Sequence, residues 1–309
     1  MSASPAQGPP PGPGPVPGPG ERTDDERALF RLLAVRRSPG AGRADGAAAL
    51  EAMVLPGPYG RGPWDHGLLH GGPVGGLAGW AAEQAVPATD GLVCCRLTVE
   101  LLSGVPLEPI EVTATVAKPG RRSRAVDVTA ACGGRTVMRA TSQWVLPSAG
   151  WDTQGELPPA RPVAPSDPSL DTEVDYPRPG FNCDAAELRF VSGSTEKSGP
   201  AVVWARLTSP LMAGEPSTPL VMTATVADLA AAAGWEHEPD QPSFINPDIS
   251  LHLNRYPAGP WICIDARNHR SAGAVAFNEA TFADDRGPFG RVLQSLVEAP
   301  GASQPLGGP

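Results

Sequence analysis

The chain is predicted to be an α+β protein of two similar halves, each a single helix wrapped by an antiparallel sheet. Three observations carry this. Two proline-rich interruptions divide the sequence, the stretches between and after them repeat one order of elements, and apolar residues alternate at matching positions in both copies. With 309 residues, 41% hydrophobic and 18% charged, the chain is long enough to bury two modest cores.

Residues 1–24 form a Pro/Gly tract that cannot bury apolar surface, and disorder is expected there. An N-terminal domain follows over residues 25–147, opening on the helical-looking segment Asp24 to Arg36. The Gly- and Ala-rich stretch His70 to Ala85 reads as its central helix. Four strand-like runs come next: Val93 to Leu102, Ile110 to Ala117, Ala125 to Ala131 and Val137 to Leu146. Residues 148–179 are rich in proline and read as an extended linker. The C-terminal domain spans 180–298 and repeats the order. Its Ala-rich segment Thr225 to Ala233 precedes strand-like runs at Ile249 to Leu253, Trp261 to Ala266, Val275 to Phe282 and Gly290 to Val297. Residues 299–309 read as a second disordered tail.

The repeat can be placed in register. At a displacement of about 152 positions, Leu97, Val99 and Leu101 fall on Ile249, Leu251 and Leu253. Ile110, Val112 and Ala114 fall on Ile262, Ile264 and Ala266. That period of two suits strands with one buried face. Gln143 and Gln294 are separated by a similar interval.

Charge and motif content exclude several functions. A net charge of -9 and a pI near 5.1 oppose a general nucleic-acid binder, which needs a field attractive to phosphate. No apolar run reaches the length of a membrane span and no secretion signal opens the chain, so a cytoplasmic protein without membrane partners is expected. Five cysteines lack any C-x-x-C pair and the histidines lack metal-ligand spacing, so no metal and no cofactor are expected. The cysteines read as reduced, mostly buried apolar side chains. There is no G-x-S-x-G elbow for an acyl-enzyme nucleophile.

Asp228 stands out because it interrupts the apolar run from Val226 to Ala233. A carboxylate inside a domain is costly without partners. If Thr223 or Thr225 begins the helix, Asp228 lies in its first turns, where it either caps the helix or is held for chemistry. The segment His70-Gly71-Gly72-Pro73-Val74-Gly75-Gly76 lacks the endings of a nucleotide loop, and its glycines fit close packing better than nucleotide binding. The basic cluster Lys118 to Arg124, with Arg121 and Arg122, reads equally as a solvated hairpin and as a contact for substrate phosphate. Arg255, Arg267 and Arg270 form a looser second cluster. The tryptophans, Trp64 and Trp235 among them, are expected mostly in the core.

Leu69-His-Gly-Gly-Pro-Val-Gly-Gly-Leu-Ala, Arg96-Leu-Thr-Val-Glu-Leu-Leu-Ser-Gly-Val-Pro-Leu and Phe244-Ile-Asn-Pro-Asp-Ile-Ser-Leu-His-Leu together resemble the thioesterase-like superfamily of actinobacterial proteins, related to the bacterial acyl-CoA thioesterase II family. The resemblance covers about residues 45 to 298. It implies a double hotdog fold, hydrolysis of acyl-CoA to free acid and CoA, and association into a homo-oligomer. The family's water-orienting Asp and Gln fall on Asp228 and Gln294, and its Thr falls on Asn246, a departure that still offers a donor and an acceptor. His70, Gly71, Gly72, Arg121 and Arg122 are the candidate substrate-binding residues.

Two rivals remain. One is a hotdog enzyme acting on a CoA- or carrier-bound biosynthetic intermediate by dehydration or cyclisation. Dehydration needs a His close to the Asp, and no histidine stands near Asp228 in a compact motif. The other is a non-catalytic acyl-thioester-binding protein, which the Asn246 departure keeps open.

Overall fold

The computed structural model describes residues 23–38, 48–63, 65, 67–148, 156–163, 178–194, 199–234, 244–271 and 275–298. The expectations for both tails, most of the linker, Trp64 and Trp235 lie outside the described residues.

The first half contains α1 (Asp24–Arg27), β1 (Phe30–Arg37), β2 (Ala48–Pro56), α2 (Gly71–Gln84), β3 (Val93–Leu101), β4 (Ile110–Lys118), β5 (Ser123–Cys132) and β6 (Arg135–Val145). The second contains β7 (Ala186–Ser192), β8 (Ala201–Leu207), α3 (Pro219–Ala227), α4 (Leu229–Ala233), β9 (Phe244–Ile245), β10 (Asp248–Leu253), β11 (Ile262–Arg270), β12 (Ala276–Asp284) and β13 (Gly287–Glu298). Among the described residues the strands form one sheet in the order β1-β2-β4-β5-β6-β3-β10-β13-β12-β11-β8-β7, with β9 beside β13. The second half of that order mirrors the first. The strands matched by the sequence repeat, β3 with β10 and β4 with β11, occupy equivalent places. The halves meet where Thr98 pairs with Ser250, two residues equivalent under the repeat. This is the α+β double hotdog architecture, an antiparallel sheet around central helices.

Two expected elements are corrected. The helix at Asp24 to Arg36 ends after one turn: Thr23 and Glu26 form a reciprocal cap, then the chain extends into β1. Tertiary pairing decides this, because the Leu29 and Phe30 amides donate to Pro210 O and Leu211 O at 3.0 and 2.8 Å and β1 pairs along β2. The second central helix begins earlier than Thr223 or Thr225. Thr218 caps it, accepting from Val221 N at 3.2 Å, while the Thr223 and Thr225 hydroxyls donate back to Pro219 O and Val221 O.

Helix α2 is buried from Gly72 to Ala82, as a helix enclosed by a sheet must be. It packs directly on α3. A Cβ at Gly76 would collide with the Thr225 hydroxyl, so the glycine run serves close helix contact. At the far end of α2, Glu83 accepts from the Thr218 hydroxyl at 2.9 and 2.8 Å. Burial pushes its carboxyl up to about 7, opposed by that hydrogen bond. The folded chain therefore holds a proton there that the unfolded chain releases in the ordinary carboxylate range, and stability falls as pH rises between that range and about 7. Glu83→Gln should remove this slope and stabilise the protein at pH 8 by about 1 kcal/mol, a figure reduced for solvent screening of a partly exposed group. Urea unfolding at pH 5 and pH 8 measures it; identical pH dependence in both proteins would refute it.

Candidate active site

The start of α2 comes up against the junction between α3 and α4, and Asp228 lies at that junction. Its backbone is helical (φ -67°, ψ -27°) and its side chain makes no capping hydrogen bond, so the helix-cap reading is wrong. The carboxylate turns to the other half of the protein. Asp228 Oδ2 lies 2.9 Å from His70 Nδ1, and Asn246 Nδ2 donates to Oδ1 at 2.7 Å. Gly72 N also reaches the pair, 3.0 Å from His70 Nδ1. One nitrogen cannot donate and accept at once. With an anionic neighbour at 2.9 Å, Nδ1 carries the proton and donates to Asp228, and the Gly72 amide turns to the carboxylate.

His70 is held on all sides. Its amide donates to Gly60 O at 2.9 Å, it occupies the cap position of α2, and the buried Phe181 ring stands 4.7 Å from its own ring. Asp228 and His70 are 7% and 8% exposed. Burial alone would raise the Asp228 carboxyl. The His70 charge and hydrogen bond, the Asn246 amide and the Gly72 amide outweigh it and hold the group below the ordinary carboxylate range. The expectation that the first-turn N–H groups of Asp228's own helix favour this charge is not met, because that helix begins at Pro219 and ends before Asp228; the backbone amide that does so is Gly72 N, at the start of α2.

The statement that no histidine accompanies Asp228 is corrected here: His70, 158 positions earlier, is its partner. Gly71 is equally close. A Cβ there would stand 2.7 Å from Asp228 Oδ2 and 2.8 Å from Oδ1.

Gln294 is 1% exposed on β13, and neither amide atom has a hydrogen-bond partner among the described residues. It is tied to the Asp228 cluster through Asp248. Asn246 Nδ2 lies 3.4 Å from Asp248 O, and the Asp248 carboxylate accepts from Ser295 N at 2.8 Å. The structure thus gathers Asp228, Asn246, His70, Gly71 and Gly72; Gln294 is linked to them only through its chain neighbour Ser295.

Arg121 and Arg122 are exposed in the β4–β5 hairpin, elsewhere. Beside that hairpin Ser123 pairs with Val145 and Val145 with Val93, at the start of β3; the far end of β3 meets Pro247, next to Asn246. The length of β3, roughly 26 Å at the usual strand rise, lies between them. Arg124 pairs with Asp90 at 2.8 Å, and Arg255 is spent on a two-pronged pair with Asp284 at 2.6 and 2.7 Å. Of the cysteines, Cys94, Cys132 and Cys263 are buried, and burial pushes the Cys263 thiol up to about 12 and Cys94 higher still. No helix of the described residues is long and apolar enough to cross a membrane.

Residues 60–144 match the acyl-CoA thioesterase N-terminal domain family and residues 154–297 the acyl-CoA thioesterase C-terminal domain family. The chain belongs to this acyl-CoA thioesterase family and is a thioester hydrolase. Solved structures share the fold. An acyl-CoA thioesterase II, TesB2, from Mycobacterium marinum is 16% identical with a TM-score of 0.61, over 91% of this chain and 99% of that one. A tesB protein of Mycobacterium avium subspecies paratuberculosis is 17% identical (TM-score 0.59; 81% and 93% covered). A protein of unknown function with a hot dog fold from Alicyclobacillus acidocaldarius is 14% identical (TM-score 0.63; 85% and 99% covered). No curated protein matches the chain.

Proposed function

We propose that the protein hydrolyses acyl-CoA to free acid and CoA with a water held between Asp228 and Gln294. The observation that carries this reading is a buried, ionised carboxylate with one acceptor position to spare. Its two oxygens offer about four lone-pair sites, and His70, Asn246 and Gly72 take three. A water fits the fourth, and Gln294 supplies an unspent donor and acceptor to orient it and the thioester carbonyl. The water oxygen attacks the carbonyl carbon while one of its protons passes to the Asp228–His70 pair. The tetrahedral intermediate then breaks its C–S bond, and the departing thiolate takes up the proton. A carboxylate held below its ordinary range is a weak base, so orientation of the water supplies more of the rate than basicity does. A thiolate leaves readily, which makes that sufficient.

The His70–Asp228 pair also favours a second reading, dehydration of a hydroxyacyl thioester, because that reaction needs a proton acceptor and a donor side by side. Product analysis separates the two. Hydrolysis releases one free thiol per acid formed across a chain-length panel of acyl-CoAs. An unsaturated thioester without free thiol would overturn the hydrolase mechanism.

A further inference from the structure

β9 and β10 both pair with β13, but in different registers. Ile245 lies opposite Val297 and Ser250 opposite Leu293, so the chain takes five steps where β13 takes four. The extra residue makes a β-bulge, and it falls within Asn246, Pro247 and Asp248. Alternation shows its effect. Ile249, Leu251 and Leu253 of β10 are buried, so a straight strand would carry both Asp248 and Asn246 on the outer face. Phe244 of β9 packs inward against the buried cluster of Ala231, Ala276 and Leu296, which places Asn246 on the inner face. The bulge settles the conflict in favour of β9, and Asn246 Nδ2 reaches Asp228 Oδ1 at 2.7 Å. A slip of one residue turns this side chain into the site.

Side chains hold the bulge open. In the register of β10, Asn254 N donates to Phe289 O at 3.0 Å, and steps of two along the ladder bring Asp248 opposite Ser295 as a pair that would exchange backbone hydrogen bonds. The Asp248 carboxylate makes that bond instead, accepting from Ser295 N at 2.8 Å. The Asp248 carbonyl lies 3.4 Å from Asn246 Nδ2. Pro247 has no N–H for the ladder, and its carbonyl accepts from Leu101 N on the β3 side at 2.7 Å.

We infer that Asp248 is a positioning residue of the thioesterase site: by taking Ser295 N with its side chain, it holds the bulge that turns Asn246 onto Asp228. The assignment rests on the Asp228 water mechanism and adds what keeps one of its polar groups in place. Asp248 acts through Asn246 and touches no reacting atom. Without its carboxylate, the Asp248 carbonyl is free to take Ser295 N, the ladder closes in the register of β10, and Asn246 is drawn back toward the outer face.

Asp248→Ala should lower kcat about tenfold or more with little change in KM, because it displaces the Asn246 donor and leaves the rest of the site in place. Asp248→Asn should restore kcat to within about twofold of wild type, since its amide oxygen accepts from Ser295 N as the carboxylate does. The discriminating comparison is made in the Asn246→Ala protein, where Asp248→Ala should cost nothing further in kcat because both changes disable one unit. A residue with a merely structural role would lower the melting temperature and give losses that multiply. Asp248→Ser, one bond shorter, serves the same purpose should the alanine variant fail to fold. The NMR signal of the Asn246 side-chain amide, identified by its disappearance in Asn246→Ala, reads the placement without turnover. It should be displaced in Asp248→Ala and kept in Asp248→Asn. Full kcat in Asp248→Ala, multiplying losses in the double variant, or an Asn246 signal that does not move would overturn the inference. If the wild-type protein releases no thiol from acyl-CoA while the Asn246 signal still follows Asp248, the hydrolysis mechanism fails and the positioning by Asp248 stands.

Discussion

Asp228→Asn is expected to lower thioesterase turnover by roughly 10² to 10⁴ while the protein stays folded, the range typical for a positioned proton acceptor. The geometry makes this a clean substitution. Three donors converge on the carboxylate, and a carboxamide offers only one oxygen, but that oxygen can stay with Asn246 Nδ2. The new NH₂ then faces His70 Nδ1, which accepts from it once the imidazole proton moves to Nε2. With Nδ1 deprotonated, the Gly72 amide, 3.0 Å away, also has an acceptor in its reach, so the polar groups stay partnered and what disappears is the charge. The pH dependence follows with its sign. Because Asp228 is held below the ordinary carboxylate range, its contribution to stability is complete above the pKa of the unfolded carboxyl and is lost as pH falls through the lower folded value. Protonation of Asp228 should thus give no acid limb in kcat above about pH 4. Near-wild-type turnover by a soluble, folded Asp228→Asn protein would remove the carboxylate from the mechanism.

How far the sequence exposes this site depends on what kind of contact each residue makes. Asp228 was visible as a lone carboxylate in an apolar run, and the strand meanders were visible because alternation marks a half-buried strand. Gln294 and Asn246 entered by resemblance, since an amide on a strand carries no pattern of its own. The flanking strands β1, β2, β7 and β8 carry no such signal, and the helical-looking segment Asp24 to Arg36 ends after one turn because tertiary pairing draws Phe30 onward into β1. His70 was noticed for its glycine-rich setting but not as the partner of Asp228, because their meeting is created by the packing of α2 on α3. A usable signal was present. Gly72, Gly75, Gly76 and Gly79 lie on one face of α2, and a face without side chains implies a neighbouring helix at close range. Packed on α3, that face brings the start of α2 to Asp228.

Gly71→Ala tests whether placement of the carboxylate, and not only its presence, sets the rate. By helix propensity alone the change is favourable, since alanine in a helix is worth up to about 1 kcal/mol over glycine. At this position the added methyl would stand 2.7 to 2.9 Å from Oδ2, Oδ1 and Cγ of Asp228, closer than a carbon and a carboxylate tolerate. The backbone of α2 cannot retreat, because its next turns are packed on α3 through Gly72, Gly75 and Gly76. The carboxylate must therefore shift or rotate away from His70 Nδ1 and Asn246 Nδ2. A displacement near 1 Å in a positioned catalytic group costs on the order of 10² in rate. The expected result is a folded protein with melting temperature within a few degrees of wild type and kcat lowered about 100-fold, with a smaller change in KM. Combined with Asp228→Asn it should add little, because both changes disable one water-holding unit. Full activity in Gly71→Ala would mean that the Asp228–His70 geometry has slack to spare and that orientation of the water is not what limits hydrolysis.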